Sequence, residues 1–343
     1  TPYSYDPWGG KGQRHEIEAQ HNTRLAESVR LAWGGSWRED SVSAPTTLIN
    51  QGVVKREVGR VFGNFELKPT QWVTGNLGLS WEEDSLAGSH FAPRASLAFH
   101  LDPRNTVRIG TSRAYRTGSV VDYRGDWHNG AKYQFRGDPD MPAERMDTWE
   151  IGYIGDWRDW RMSLDVRLFD EKVHNRLLVI DRDDSKDSIP DAMTAIQDVH
   201  MRGIEYQLKW NPFESTKIVL NQMFMDADAE FVPSALANRT NSLWNDGNNY
   251  EKRRNIDALS ERGMPRRSTS LLWLQKLPWN LEFSAAGYWQ DKAKWSINTW
   301  AERYQRIDTR LAYKFRWSGV GGELAWIIQS LNGAHFEYKA YND

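Results

Sequence analysis

Cysteine is absent from all 343 residues. That excludes a disulfide framework, thiol catalysis and cysteine-based metal centres, and leaves the compartment open. Long apolar stretches are scarce as well. Runs such as Leu177–Ile180 and Leu271–Leu274 stop at four residues, whereas a membrane-spanning helix needs about 20. The mean hydropathy of −0.72 does not argue against membrane strands, which alternate apolar and polar residues. Neither sign of charge dominates: 44 Lys and Arg face 46 Asp and Glu, a net of −2. Bulk attraction to nucleic acid and an acidic solvating tail both lack support. No charged-then-apolar leader precedes the body of the chain, so an export signal is expected to have been removed or to lie outside it. Hydrolase elbow, phosphate loop, dinucleotide fingerprint and HExxH zinc motif are all missing, so no enzymatic activity and no cofactor are expected.

What the chain has in excess is tryptophan, 18 against 13 Tyr and 12 Phe. Each indole carries an N–H that wants a partner, which suits surfaces that are apolar yet partly wet. Strict period-two alternation accompanies it. Met162, Leu164, Val166 and Leu168 alternate with Arg161, Ser163, Asp165 and Arg167. The same holds for Val73–Glu82, Ile204–Trp210 and Arg306–Trp317, with no apolar stripe at helical spacing. The fold class is therefore all-β, with about 14 strands, several carrying roughly 9–11 residues of alternation, the length a tilted strand needs to cross a bilayer.

Short polar links are expected at Lys68–Thr70, Asp102–Arg104, Asp156–Trp160, Asn211–Thr216, Leu277–Trp279 and Ser318–Gly322. Long irregular connections are expected at Asp40–Arg56, Glu83–Phe91, Thr117–Glu144, Glu171–Asp198, Ala227–Pro265 and Asp291–Tyr304. Strict alternation of short with long is the asymmetry of an antiparallel transmembrane β-barrel of the outer membrane, with short periplasmic turns and long extracellular loops. Aromatics near strand ends (Trp72, Trp81, Trp149, Trp157, Trp160, Trp210, Phe213, Trp273, Trp279, Trp289, Trp317) fit interfacial girdles. The blander reading makes them the core of a soluble β-protein, and the loop asymmetry weighs against it.

One stretch is more specific. Gly137, Asp138, Pro139, Asp140, Met141 and Glu144 are followed by Trp149-Glu150-Ile151-Gly152. This resembles the TonB-dependent outer-membrane receptors, whose barrels carry a Gly-Asn-Pro-acidic-Leu-x-Pro-Glu segment and then an aromatic-Glu-aliphatic-Gly strand start. The departures are Asp138 for asparagine, Met141 for leucine, and Pro142 one place early. Ser112–Gly118 is similar to the family's Ser-x-x-aromatic-Arg-x-Pro strand end, with Gly118 in place of proline. Pro93-Arg94, Phe169 and Gly203-Ile204-Glu205 fall in the family's order. The resemblance covers most of the chain from about Arg14 and makes residues 1–343 one barrel region. It implies a barrel of about 22 strands with a plugged lumen. Since no plug or TonB-contacting segment is visible, and the tail from Ser330 resembles the loop before a last strand, the chain is expected to be the C-terminal part of such a barrel without its final strand.

The implied function is active, TonB-coupled uptake of a scarce nutrient, such as a siderophore or other metal chelate, across the bacterial outer membrane. Outer-membrane lipid, the TonB complex acting through a plug, and a small-molecule ligand would be the partners, and nucleic acid would not. A plugless passive porin, or a soluble Trp-rich glycan-binding protein, are the alternatives. Cationic and aromatic side chains at a barrel mouth can grip an anionic, ring-bearing ligand. The candidates are Arg113, Tyr115, Arg116, Tyr123, Trp127, His128 and Tyr133. His15 and His21 would share a strand face about 20 Å apart, too far for one metal. The acidic run Asp181, Asp183, Asp184 and Asp187 lacks the glycine and closing glutamate of an EF-hand and reads as a solvated loop. Asn238-Arg239-Thr240 is a formal glycosylation sequon, read as chance in a bacterial protein.

Overall fold

The computed structural model describes residues 9–129, 132–180, 192–237, 256–296, 299–333 and 339–340. The acidic run at 181–187 and the sequon at 238–240 lie outside the described residues. Fourteen strands form one sheet: β1 (Lys11–Ala26), β2 (Val29–Ser43), β3 (Val54–Thr70), β4 (Val73–Asp84), β5 (Gly88–Asp102), β6 (Asn105–Arg116) and β7 (Glu144–Trp157) make its first half. The second half is β8 (Met162–Ile180), β9 (Ala192–Phe213), β10 (Thr216–Phe231), β11 (Arg267–Leu277), β12 (Leu281–Gln290), β13 (Tyr304–Trp317) and β14 (Val320–Ile328). Neighbours in the chain are neighbours in the sheet, every pair antiparallel. Among the described residues no pairing joins β14 back to β1.

Register lines up the alternation across strands. Ile109, Ile151, Leu168, Ile204 and Phe224 stand opposite one another from β6 to β10, all on one face. One residue along, Arg108, Gly152, Arg167 and Glu205 form a row on the other face. The polar face is concave: Arg108 on β6, Arg167 on β8, Asn221 on β10, Ser270 on β11 and Tyr288 on β12 line a single cavity of about 620 Å³. Arg60, Asp308 and Arg310 lie on this face too, each in the opposite pleat from Val61, Ile307 and Leu311. The convex face is apolar and bare: Ile17 is 68% exposed, Trp149 65% and Leu324 70%. A continuous apolar band of that kind has no place in water. Exposed tryptophans cluster at its short-turn edge, among them Trp72, Trp160, Trp279 and Trp317.

Buried apolar side chains collect instead at the long-loop end, in small clusters such as Ala44, Leu48 and Val120, or Ile196, Val232, Ala235 and Ile256. At the other end the links are tight. Between Trp317 and Val320 the turn is only Ser318-Gly319, both at positive φ (50° and 85°), the two-residue hairpin whose twist matches the flanking strands.

Two expected loops prove to be largely strand. Glu83–Phe91 shrinks to Ser85-Leu86-Ala87, because the Asp84 carboxylate accepts the Leu86 and Ala87 N–H groups (2.9 and 3.3 Å) and turns the chain at once into β5. Short and long connections therefore do not alternate strictly. Within Glu171–Asp198 the β8–β9 ladder continues to Ile180 opposite Ala192. Both pleats of that extension carry apolar residues, Leu177 packed with Tyr123 and Met141 and Leu178 against the Ile196 and Val232 cluster, so the sequence loses its period-two signature while the backbone keeps its hydrogen bonds.

The facing rule is testable. Ile151→Arg, on the convex face, should destabilise the membrane-inserted barrel by about 2–4 kcal/mol, read as a lower urea midpoint in detergent or lipid. Ser270→Lys, pointing into the polar cavity, should leave that midpoint nearly unchanged.

Candidate functional site

On the concave face, the residues of the strand-start motifs converge on one guanidinium. Arg167 donates from Nε to Glu150 (2.6 Å), from Nη1 to Glu205 (3.2 Å) and from Nη2 to Glu171 (3.1 Å), with its plane over the Phe169 ring at 5.1 Å. Arg108 reaches across Gly152 to Asp165 at 3.1 Å; a Cβ at Gly152 would lie 2.5 Å from the Arg108 Nε. Glu150-Ile151-Gly152 and Gly203-Ile204-Glu205 therefore place alternate residues on both faces: carboxylates and clearance for arginine inward, isoleucine outward.

At the long-loop end a folded cap sits on the strand termini. Helix α1 (Val120–Arg124) starts with a capping box between Ser119 and Asp122. A small hairpin follows (Asp126–Asn129 paired with Lys132–Arg136), and Asp126 bridges to Leu48 of the β2–β3 connection. The cap is held from below by Arg56 on β3. Its Nε donates to both Asp84 oxygens (3.1 and 3.0 Å), its Nη1 to the Gly118 carbonyl (2.9 Å) and its Nη2 to Thr117 Oγ1 (2.8 Å). Both Arg56 and Asp84 are buried. Burial alone would raise the Asp84 carboxyl, but the Arg56 hydrogen bond and the Leu86 and Ala87 N–H groups hold it below the ordinary carboxylate range. The sequence reading missed this pair, since neither residue belongs to a motif.

The seven candidate residues separate into groups. Arg116 ends β6 on the concave side and grips Glu144 with both arms; Glu144 also accepts the Leu177 N–H at 2.6 Å. Arg176, also on β8, lies near both. Burial and the Arg116 charge lower its pKa, with Glu144 opposing. Arg113 belongs to the opposite pleat and donates to Asp147 at 2.6 Å. Tyr115 stacks on His90, centroids 4.8 Å apart, where the β5–β6 pairing has ended at Arg94 and Ser112. Tyr123 is 1% exposed, packed with Met141 and Leu177, and burial raises its pKa. It holds the cap together and offers no open surface. Trp127 is 47% exposed on the cap hairpin. His128 and Tyr133 occupy paired positions in the same hairpin. The structure thus brings Trp127, His128 and Tyr133 together on one element, puts Arg116 on the wall beneath, and separates Arg113 and Tyr115 from them.

The Arg56–Asp84 latch predicts a pH dependence. Because the folded-state carboxyl titrates below its unfolded value, its contribution is present above about pH 4 and is lost as pH falls through the lowered value. Hydrogen exchange at Thr117–Tyr123 should accelerate there, and Asp84→Asn should show the fast exchange already at pH 7. Exchange that stays slow in the variant would show that the latch does not hold the cap.

Comparison with known proteins matches this architecture. A family model described as "TonB dependent receptor-like, beta-barrel" matches residues 2–332. The siderophore receptor PirA from Pseudomonas aeruginosa superposes with a TM-score of 0.68 at 12% identity, over 96% of this chain and 54% of PirA. A mutant of the ferric enterobactin receptor PfeA from the same organism gives 0.68 at 14%, over 94% and 48%. The iron transporter FrpB from Neisseria meningitidis gives 0.64 at 12%, over 90% and 49%. These likenesses concern the fold, and the chain spans about half the length of those receptors. A fourteen-strand meander with a polar concave face, an apolar convex one and a folded cap over its long-loop end, matched by the family model along nearly its whole length, belongs to the TonB-dependent receptor β-barrel family.

Proposed function

We propose that this chain is the greater part of the wall and mouth of an outer-membrane receptor that imports a small anionic nutrient complex, a metal chelate being the best fit, with energy supplied through TonB. The convex band matches a bilayer, and the long-loop end is the outer one because short turns face the periplasm in such barrels. The family is one of receptors and transporters rather than enzymes, and solved neighbours are siderophore receptors, one in complex with enterobactin.

The observation that carries the ligand reading is the cap. An exposed indole, Trp127, stands on a hairpin pinned to the wall by Arg56, Thr117 and Gly118, while Arg116 and Arg176 gather two guanidinium groups around the single Glu144 carboxylate below. A ring-bearing anion would stack above and be neutralised beneath. His128 and Tyr133, on the same hairpin, are proposed as further contacts. Tyr123 acts through the packing of the cap.

The test is uptake of a radiolabelled ferric catecholate by cells carrying the full-length protein, with binding to those cells measured in parallel. Removing the indole contact in Trp127→Ala is worth about 1–2 kcal/mol, a loss of roughly 5- to 30-fold in affinity. Uptake and binding both unchanged in Trp127→Ala would overturn the proposed site. Uptake independent of TonB would overturn the coupling.

A further inference from the structure

The convex face is not uniform. Between β3 and β7 small residues open a groove in it. Gly75 and Ala95 form its floor, Leu67, Leu77, Leu97 and Ile109 its sides, and Trp149 closes its upper end; the cavity measures about 350 Å³ and is almost wholly apolar. All of these side chains lie in the outward pleat, as their partners across the sheet show: Leu67 faces Gly75, Gly75 faces Leu97, Leu97 faces Ile109. A Cβ built on Gly75 would sit in ordinary contact with the Leu97 methyl at 3.4 Å and Leu67 at 3.9 Å, so the floor has room for a methyl group and a larger side chain would have to rise into the groove.

Immediately beyond Trp149 toward the long-loop end, the outward pleat becomes charged. The next pair along is Arg113 opposite Asp147, with Lys172 opposite Asp147 on the other side. Arg145 joins the same carboxylate, so Arg113 and Arg145 share it, and Lys172 stands opposite Asp147 in the same pleat. Arg113 Nε makes a true hydrogen bond to it at 2.6 Å. Arg145 Nε is buried and lies 3.1 Å from Asp147 Oδ2, but at an angle that closes no hydrogen bond. His174 also lies by Asp147, at 3.6 Å, and makes its own contact to Asp198 at 3.3 Å. Asp170, lower on β8, is engaged by His200 at 2.7 Å. Two guanidinium groups therefore lean on one acid, Asp147, which stands two residues along β7 from the top of the apolar groove, with Lys172 in the same pleat. That spacing is about 7 Å along a strand, the separation between the acyl chains of a lipid and its phosphate.

We propose that the outward face of β3–β8 binds a phosphate-bearing lipid of the leaflet at the long-loop end, with an acyl chain in the Gly75–Ala95 groove and the phosphate on Arg113, Arg145 and Lys172. The proposal rests on the membrane reading above, because only an inserted barrel presents this face to lipid. It gives Arg113 a role separate from the mouth. A phosphate suits the site because guanidinium forks bind its oxygens in pairs.

The full-length protein, isolated from the membrane fraction and exchanged into detergent, is titrated with dimyristoyl phosphatidic acid or dimyristoyl phosphatidylcholine, and bound lipid is counted by native mass spectrometry. The wild type should retain phosphatidic acid preferentially. Arg113→Gln with Arg145→Gln should lose about ten-fold in affinity for it while binding phosphatidylcholine as before. Gly75→Leu, which fills the groove and touches no charge, should weaken both lipids, and it carries the test if the arginine variant does not fold. Equal retention of the two lipids by the wild type, or wild-type retention in both variants, overturns the proposal. A protein that never reaches the membrane fraction overturns the barrel reading itself, and this site with it.

Discussion

A peptide group in hydrocarbon has no water to bond, so each N–H and C=O must find its partner within the protein. Everything in this structure follows from how the chain meets that demand. Fourteen strands pair only with their sequence neighbours, which satisfies the backbone by the shortest connections available and fixes the side-chain period at two. One face can then be given to the surroundings and the other to the interior, residue by residue. The demand ends where the apolar band ends, and there the architecture changes: the α-helical turns, a small hairpin and the buried apolar clusters lie at the long-loop end. The outer edges of β1 and β14 carry no ladder among the described residues, and there the same demand stands open.

The interior face obeys a second constraint. Charges in a confined space must be compensated, and here the compensation runs between strands rather than along them. Arg167 is answered from β7 and β9 as well as from its own strand. Such cross-strand ties resist register slippage, since a one-residue shift would carry the carboxylates to the opposite face. The motif residues that made the family recognisable are largely the ones that make these ties and the clearances they need.

Much of this was legible from residue order. Alternation alone gave the fold class and the number of strands, because lipid on one side and a polar interior on the other stamp a strong period on the chain. The same signal fades above the band, where apolar residues of either pleat pack in small clusters; hence Glu83–Phe91 and Glu171–Asp198 read as loops although most of their residues are strand. Within the candidate site, counting by twos from Ile109 would already have separated Arg113, which shares its pleat, from Arg116, which does not. Tyr123 and Trp127 could not be told apart in this way. Both are aromatics in one long connection, and only the tertiary packing of that connection makes one a filler and leaves the other bare. The Arg56–Asp84 pair was silent for a related reason: its partners lie sixty residues away in a loop.

Strands β8 and β9 outrun the others. From Ile204, the last apolar outward residue, β9 continues to Ala192 with its ladder to β8 interrupted by two register shifts, on either side of Arg176. At ~3.3 Å per residue this overhang is about 40 Å long, longer than the hydrocarbon layer itself, which is about 30 Å thick. Set on an inserted barrel, it is a parapet on one side of the rim rather than a ring around it. Material arriving from outside meets a tall wall at β8–β9 and a low sill at β4–β5, where three residues close the turn. The entrance is therefore lopsided, and approach from the β4–β5 side is the open one. Large ligands and antibodies alike would gain access there first, while the tall side backs the cap through Tyr123, which packs against Leu177.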